Sequence, residues 1–440
     1  MKHVRKSMML LVVVVLSLTV VLGGCGGNNN EANQGSESNN KPQKEESKEV
    51  REITLWSFEA RDPHRTLVTA SIDAFNETHE DIQINAEFMD DESFKTKIKV
   101  AVAGNNMPDV FTYWSGDQFK TLVDAGVLGD ITSQLNADEA FKNTILPGGI
   151  ETFTYDNKSY AVPLALNAVM LWYNMDMFEQ SGLNPPATYD ELLQAVDTFN
   201  ADGITPITVA GKDRWPVLHW YSYLAQREGG MEPFEKAKTG ETDFATETFV
   251  QAGEKLKELA TKKNGFVNGF LGLDYGAAEA LFTNEKAAMY MQGDWAIAGF
   301  AKDPAFLEKV GFVPFPSIEN GVGSSQVYHG GFGFGYAASS ETDIDAAYEV
   351  IKYLSSAQER GKITEAAGTA GAVTGMELDE SKMNSLAYEY LQFIQENAEG
   401  FFGYYDQQLD PSRAEAFLNA TSAIVGKTDA DIVKELKTVQ

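Results

Sequence analysis

An α/β architecture is what the sequence predicts, and three observations predict it. Segments of strand and helix periodicity alternate as β-α-β-α-β between Ile53 and Tyr113, the order that gives a mostly parallel sheet covered by helices. A second βα series opens at Thr188 with a helix-capping signature. The chain has 440 residues, 43% of them hydrophobic, which is ample to bury a large core and too apolar for a disordered protein.

Taken in order, Ile53 to Trp56 reads as a first buried strand, and Arg65 to Phe75 as a helix with Leu67, Ile72 and Phe75 on one side. Ile82, Ile84, Ala86 and Phe88 alternate with polar residues, a period-2 strand. Ser93 to Ala103 is helical, and Asp109 to Tyr113 is a short strand entered from Met107-Pro108. Thr188-Tyr-Asp-Glu191 forms a capping box after Pro185-Pro186. The apolar stripe Leu192, Val196 and Phe199 follows, and Gly203 ends that helix. Ile204 to Val209 is the next strand, Glu247 to Ala260 and Gly276 to Phe282 are helices, and Ala287 to Met291 is a strand. Ile344, Ala347, Ile351 and Leu354 mark a late amphipathic helix.

Thirty-five Lys and Arg against 64 Asp and Glu give a formal net charge of −29. That balance argues against nucleic acid, whose phosphates need basic partners, and against electrostatic docking on anionic lipid. Cys25 is the one cysteine, so no intrachain disulfide forms. The five histidines (His3, His64, His79, His219, His329) lie far apart in sequence, with no metal-ligand spacing, so neither metal nor cofactor is expected. Gly330-Gly-Phe-Gly333-Phe-Gly335 lacks the spacing of a phosphate or dinucleotide loop and reads as strand-edge glycines.

Lys2, Arg5 and Lys6 precede a 15-residue run of Met, Leu and Val from Met8 to Leu22, broken only by Ser17 and Thr19. A basic start and a short apolar run, under the about 20 residues that span a bilayer, describe a secretory signal over residues 1–24. Leu22-Gly-Gly-Cys25 resembles the bacterial lipobox, in which the cysteine is diacylated and the chain is cut before it. The resemblance implies lipidation of Cys25, and the cut chain carries a net charge of −32, having lost three basic residues and no acid. Residues 25–50 are mostly Asn, Gly, Ser, Glu, Lys and Gln, and read as a tether between the lipid and a folded body.

All six tryptophans (Trp56, Trp114, Trp172, Trp215, Trp220, Trp295) lie beyond residue 50, and several stand beside acids: Trp56 with Glu59, Trp114 with Asp117, Trp295 with Asp294. Sugar rings present C–H faces and a rim of hydroxyls, so a site for them needs aromatic planes and amide or carboxylate partners.

Several stretches together resemble the extracellular solute-binding proteins of ABC importers, in the large maltose-binding-like family that serves carbohydrate uptake. They are Gly104-Asn-Asn-Met-Pro-Asp-Val-Phe111 with Trp114-Ser-Gly-Asp117 and Leu122 to Leu128; Tyr160 to Pro163 with Leu171-Trp-Tyr-Asn174; Gly182-Leu with Pro185 to Leu192; and Glu285 to Met289 with Gly293-Asp-Trp295. The resemblance implies two α/β lobes of the periplasmic-binding type, joined by a hinge of crossing segments, with a ligand cleft between them. It implies a first lobe of residues 51–161 plus about 309–338 and a second of 162–308 plus about 339–440. Crossings are expected near Tyr160 to Pro163 and near Lys309 to Pro316.

The same resemblance implies the site. Trp295 matches the family's ring-stacking tryptophan, and Trp114 with Asp117 its first-lobe cleft pair. Asn167 stands at a polar cleft position that is often a carboxylate, and Glu59 after the first strand, where the family contacts ligand. Asp294, Trp56, Trp172, Trp215, Trp220, His329, Asp406 beside Tyr404-Tyr405, and Arg413 complete the expected ligand-binding set. The implied partners are a carbohydrate, the permease subunits and the membrane through the lipid anchor, for a monomer that makes and breaks no bond. A surface glycoside hydrolase or lyase is the competing reading, since aromatics and acids in a cleft suit both, and so is the same binding fold with a non-sugar ligand.

Overall fold

The computed structural model describes residues 50–440. The expected signal, the Cys25 lipidation site and the tether through residue 49 lie outside the described residues. Alternation of buried aliphatic and exposed polar side chains makes β1 (Arg51–Ser57) and β2 (Ile82–Phe88) a parallel pair, with Ile53 opposite Ile84. The helices His64–Thr78 and Asp91–Gly104 link them to each other and to β3 (Val110–Trp114), which runs parallel to β1. A small hairpin, β4 (Thr154–Tyr155) and β5 (Lys158–Ser159), leads to β6 (Ala161–Pro163).

The chain then crosses to a second sheet. Its central strand β7 (Asn167–Asn174) is almost entirely buried, as an apolar run covered on both faces requires. Around it come β8 (Ile207–Thr208), β9 (Met289–Gly293), β10 (Val310–Val313), β11 (Val327–Gly331) and β13 (Gly400–Phe402), whereas β12 (Phe334–Ala338) returns to the first sheet. The first sheet has the order β2-β1-β3-β12-β6 and the second β13-β11-β7-β9-β8, with β10 also on β7. The mostly parallel expectation holds for β1, β2 and β3 in the first sheet, and in the second only for the outer pairs β8–β9 and β11–β13. In the second sheet β9, β10 and β11 all pair antiparallel to β7, because the central strand enters from the hinge and its neighbours return toward it.

The lobe boundaries differ from the expected ones. Residues 309–331 do not belong to the first lobe: Phe312 faces Trp172 across the β10–β7 pair. The second crossing is therefore Phe332-Gly333, between β11 and β12. Residues from 339 do not all belong to the second lobe either. The helix Ile344–Leu354 buries Ala347, Ile351 and Leu354 against Ile53, Ile84 and Val110 of the first sheet. The helix Ala357–Ala367 adds Ile363 to that same core, and the chain recrosses only after Val373. The crossing segments lie side by side, tied by backbone bonds from Leu164 N–H to Phe334 O (3.1 Å) and Leu166 N–H to Ala370 O (2.9 Å).

The capping box forms as expected. Thr188 Oγ1 accepts from Glu191 N–H and Glu191 Oε2 accepts from Thr188 N–H, both at 3.2 Å. Among the described residues, no helix is long and apolar enough to cross a membrane.

Candidate functional site

A cavity of about 220 Å³ opens between the two sheets. Its first-lobe wall begins where β1 and β3 end. Phe58 follows β1 and stacks flat on Trp114, the last residue of β3, with centroids 4.4 Å apart and planes 3° apart. Phe94 braces both rings edge-on. Glu59, the next residue, is 7% exposed. Its Oε2 accepts from Tyr336 Oη at 3.4 Å, and Arg360 stands 3.9 Å from Oε1. Burial raises the Glu59 carboxyl, and the Arg360 charge and the tyrosine bond oppose that rise.

The second-lobe wall is assembled from distant segments. Trp215 opens the helix Trp215–Gly229, and Trp295 sits on the short turn that follows β9. Their rings meet edge to face at 6.4 Å, with Tyr275 beyond Trp215 and Tyr404 beyond Trp295. Trp295 folds back over its own chain, and its Nε1–H donates to Gln292 Oε1 at 3.2 Å. A Cβ at Gly293 would lie 2.1 Å from that indole, so only glycine leaves room for it.

Asn167, the first residue of β7, lines the floor. Its Nδ2–H donates to Asp294 Oδ1 at 2.8 Å, and Ala370 N–H donates to Asp294 Oδ2 at 3.2 Å. Asp294 is fully buried, and desolvation pushes its carboxyl up to about 7 in spite of those bonds. Asp294 thus stands behind the wall and orients Asn167. Gly330 comes so close under Asn167 that a Cβ there would meet its carbonyl oxygen at 2.1 Å, with φ at +149°.

Charged residues rim the cavity. Arg61 of the first lobe lies 3.8 Å above the Tyr275 ring of the second. Burial raises the carboxyls of Glu279, Asp91 and Asp406. The lobes are in contact elsewhere too. Gln118 Nε2–H donates to Asp406 O at 2.8 Å, Gln118 N–H donates to Gln407 O at 3.2 Å, and Lys238 pairs with Asp117 at 3.2 Å.

The cavity therefore gathers Glu59, Trp114, Asn167, Trp215, Trp295 and Asp406 from the expected set. The other expected residues lie elsewhere. Asp117 points into a separate groove, held by Lys238. Trp56 stays within β1, beneath Lys97 at 4.0 Å. Trp172 is wholly buried, its Nε1–H given to Gln292 O at 2.8 Å. Trp220 is core, packed on Phe266 and Phe315, because every residue of its helix from Pro216 to Arg227 is buried. Arg413 is spent on the carbonyls of Ala237 and Lys238, the end of the helix Glu232–Lys238. His329 is buried one layer behind the wall.

Sequence reasoning missed Phe58, Arg61, Tyr275, Glu279 and His219. A signal existed for His219, which stands four residues after Trp215 and so on the same helix face, ring centroids 5.1 Å apart. None existed for Arg61 and Tyr275, whose meeting depends on how the lobes sit. Among the described residues, no group of three or more His, Cys, Asp or Glu is placed to hold a metal.

Known proteins are similar to this chain in sequence and fold. The chain is 25% identical over 351 residues to the multiple sugar-binding protein of Streptococcus mutans, covering 78% of this chain and 80% of that one. It is 24% identical over 357 residues to the melibiose/raffinose/stachyose-binding protein MelE of Bacillus subtilis, covering 78% of each. A solved structure from work on xylan utilization by the thermophilic Caldanaerobius polysaccharolyticus superposes with a TM-score of 0.83 at 30% identity, over 88% of this chain and 99% of that one. The family model for bacterial extracellular solute-binding proteins matches residues 64–361. On its two-lobed fold, its interlobe cavity and that match, the chain belongs to the bacterial extracellular solute-binding protein family.

Proposed function

We propose that this protein captures an uncharged sugar, an oligosaccharide by preference, between its lobes and delivers it unchanged to the membrane subunits of an ABC importer. The observation that carries the reading is the pair of facing aromatic walls. Phe58 on Trp114 comes from one lobe, and Trp215 with Trp295 comes from the other. Indole planes cover the C–H faces of pyranose rings, and Glu59, Asn167 and Asp406 sit where the hydroxyl rim needs partners. The relatives' sugar specificities and the xylan context of the similar structure point the same way. Release requires only that the contacts of Gln118, Asp117 and Arg61 across the cleft part as the hinge opens.

Lipidation at Cys25 holds the monomeric protein on the outer face of the cell membrane in this reading, as the lipobox resemblance implies. No catalysis is proposed. The competing hydrolase reading needs two carboxyls flanking the bond; Glu59, Asp91, Glu279 and Asp406 line the cavity, and the state of the recovered sugar decides between the two readings.

The test is a thermal-shift panel of xylotriose, maltotriose, raffinose, cellotriose and chitotriose, with the sugar recovered and analysed afterwards. A ligand at ~100 times a Kd of ~1 μM adds ~2.7 kcal/mol of stability. The reading expects one or more sugars to raise Tm and to be recovered intact. A flat panel contradicts it, and cleaved sugar moves the assignment to a hydrolase or lyase.

A further inference from the structure

We propose that His219 contacts the ligand, presenting Nε2 to a sugar hydroxyl, and that His329 is the positioning residue that fixes its ring. The inference rests on the sugar-binding reading above.

Both imidazoles are buried, His219 at 4% exposure and His329 at 0%. Nδ1 of His219 and Nε2 of His329 share a hydrogen bond of 3.0 Å, with the rings nearly perpendicular at 82°. His219 has therefore used one nitrogen. The other, Nε2, is buried without a partner among the described residues, and its ring lines the cavity among Trp215, Trp295 and Tyr404. A buried polar atom left unpaired is rare in a folded protein, and here it belongs to a ring between the two aromatic platforms of the second-lobe wall.

His329 cannot play that part itself. It lies behind His219, stacked on Phe402 at 4.5 Å and edge-on to Tyr404 at 4.9 Å. Its backbone N–H donates to Tyr223 Oη at 3.0 Å, and that hydroxyl donates to Val169 O on β7. The pair is thus built into the sheet that carries Asn167. Burial keeps both rings neutral, His219 pushed down to about 3. In a neutral pair the shared bond has one N–H and one lone pair, so the tautomers of the two rings are coupled, with His219 Nε2 and His329 Nδ1 the two outer nitrogens. A hydroxyl is both donor and acceptor and satisfies Nε2 in whichever tautomer the pair adopts. An apolar ligand has no such match.

The experiment is calorimetric titration of the protein and four variants with the panel sugar that raises Tm most. His219→Phe keeps a ring and loses both nitrogens. His219→Gln places an amide near the Nε2 position, and His219→Asn near the Nδ1 position. His329→Phe keeps the stack on Phe402 and removes the support. His219→Phe and His219→Asn are expected to bind roughly 10- to 100-fold more weakly, and His219→Gln to stay within about threefold of wild type. His329→Phe should fall between. The ¹⁵N signal of His219 Nε2 in the wild type should move when the sugar is added, and that readout stands even where a variant does not fold. Wild-type affinity in a folded His219→Phe, an equal loss in a folded His219→Gln, or a static Nε2 signal with bound sugar overturns the inference. A wild type that binds none of the panel refutes the sugar reading itself, a distinguishable failure.

Discussion

The first-lobe wall of the cavity carries an aromatic slab, Phe58 flat on Trp114, at the ends of the parallel strands β1 and β3 and braced by the apolar edge of Phe94. The second-lobe wall is a set of rings propped from behind by polar groups: Gln292 under Trp295, Asp294 under Asn167, and His329 under His219. An apolar brace fixes a plane without choosing what rests on it, whereas hydrogen-bonded supports fix the direction of each polar atom. In the proposed reading the first wall supplies general sugar affinity, with Glu59 held by Tyr336 as its supported polar group, and the second wall orients most of the hydroxyls.

That contrast can be broken or sharpened. The largest effect belongs to the core behind the second wall. Trp172→Ala removes a fully buried indole that also donates to Gln292 O, and should cost about 3–5 kcal/mol of folding stability, read by chemical denaturation. A loss under about 1 kcal/mol would mean that the support layer is not packed as described.

The second effect is on pH. The Asp294 carboxyl is raised to about 7 in the fold from an ordinary 3.8, so the folded protein holds its proton more tightly than the unfolded chain. Stability then falls as pH climbs from about 4 to about 7 and levels off above, by on the order of a few kcal/mol. Asp294→Asn has no charge to bury and should gain on the wild type across that window. Parallel Tm-versus-pH curves for the two proteins would refute the buried, protonated support.

Third, Trp295→Ala should weaken sugar binding by about 2 kcal/mol, and unevenly between sugars that differ at one hydroxyl, because the indole and its supported neighbours act together. Fourth, Trp114→Ala should cost about 1 kcal/mol, evenly across sugars. Equal and uniform losses for the two would erase the distinction between the walls. The smallest effect is at the cleft edge. Gln118→Ala removes one bond to Asp406 O and should weaken binding by about 0.5–1 kcal/mol, seen as faster sugar release in stopped-flow fluorescence.

The first wall was the more legible of the two in the sequence, for a physical reason. A buried run marked β1, period-2 alternation marked β2, and the family resemblance implied Trp114 and Glu59, which stand at the carboxyl edge of the first sheet beside the cavity. The capping box and the stripe of Ile344–Leu354 were equally plain. Periodicity says which face of a helix is buried but not against which sheet. That is why the stripe of Ile344, Ala347 and Ile351 was placed in the wrong lobe and Val310–Val313 on the wrong side of the hinge. Tryptophan is large and half-polar, so its presence alone did not separate Trp220, packed in an all-buried helix, from Trp215 one turn earlier at the cavity.

The central claim is that an intact sugar lies between the two walls. A crystal structure of the protein grown with the panel sugar of highest affinity tests it most directly. The account predicts a sugar ring within about 4 Å of both Trp114 and Trp295, with its glycosidic bonds unbroken. Sugar seated instead in the separate groove beside Asp117 and Lys238, or a cavity holding only fragments, would contradict it.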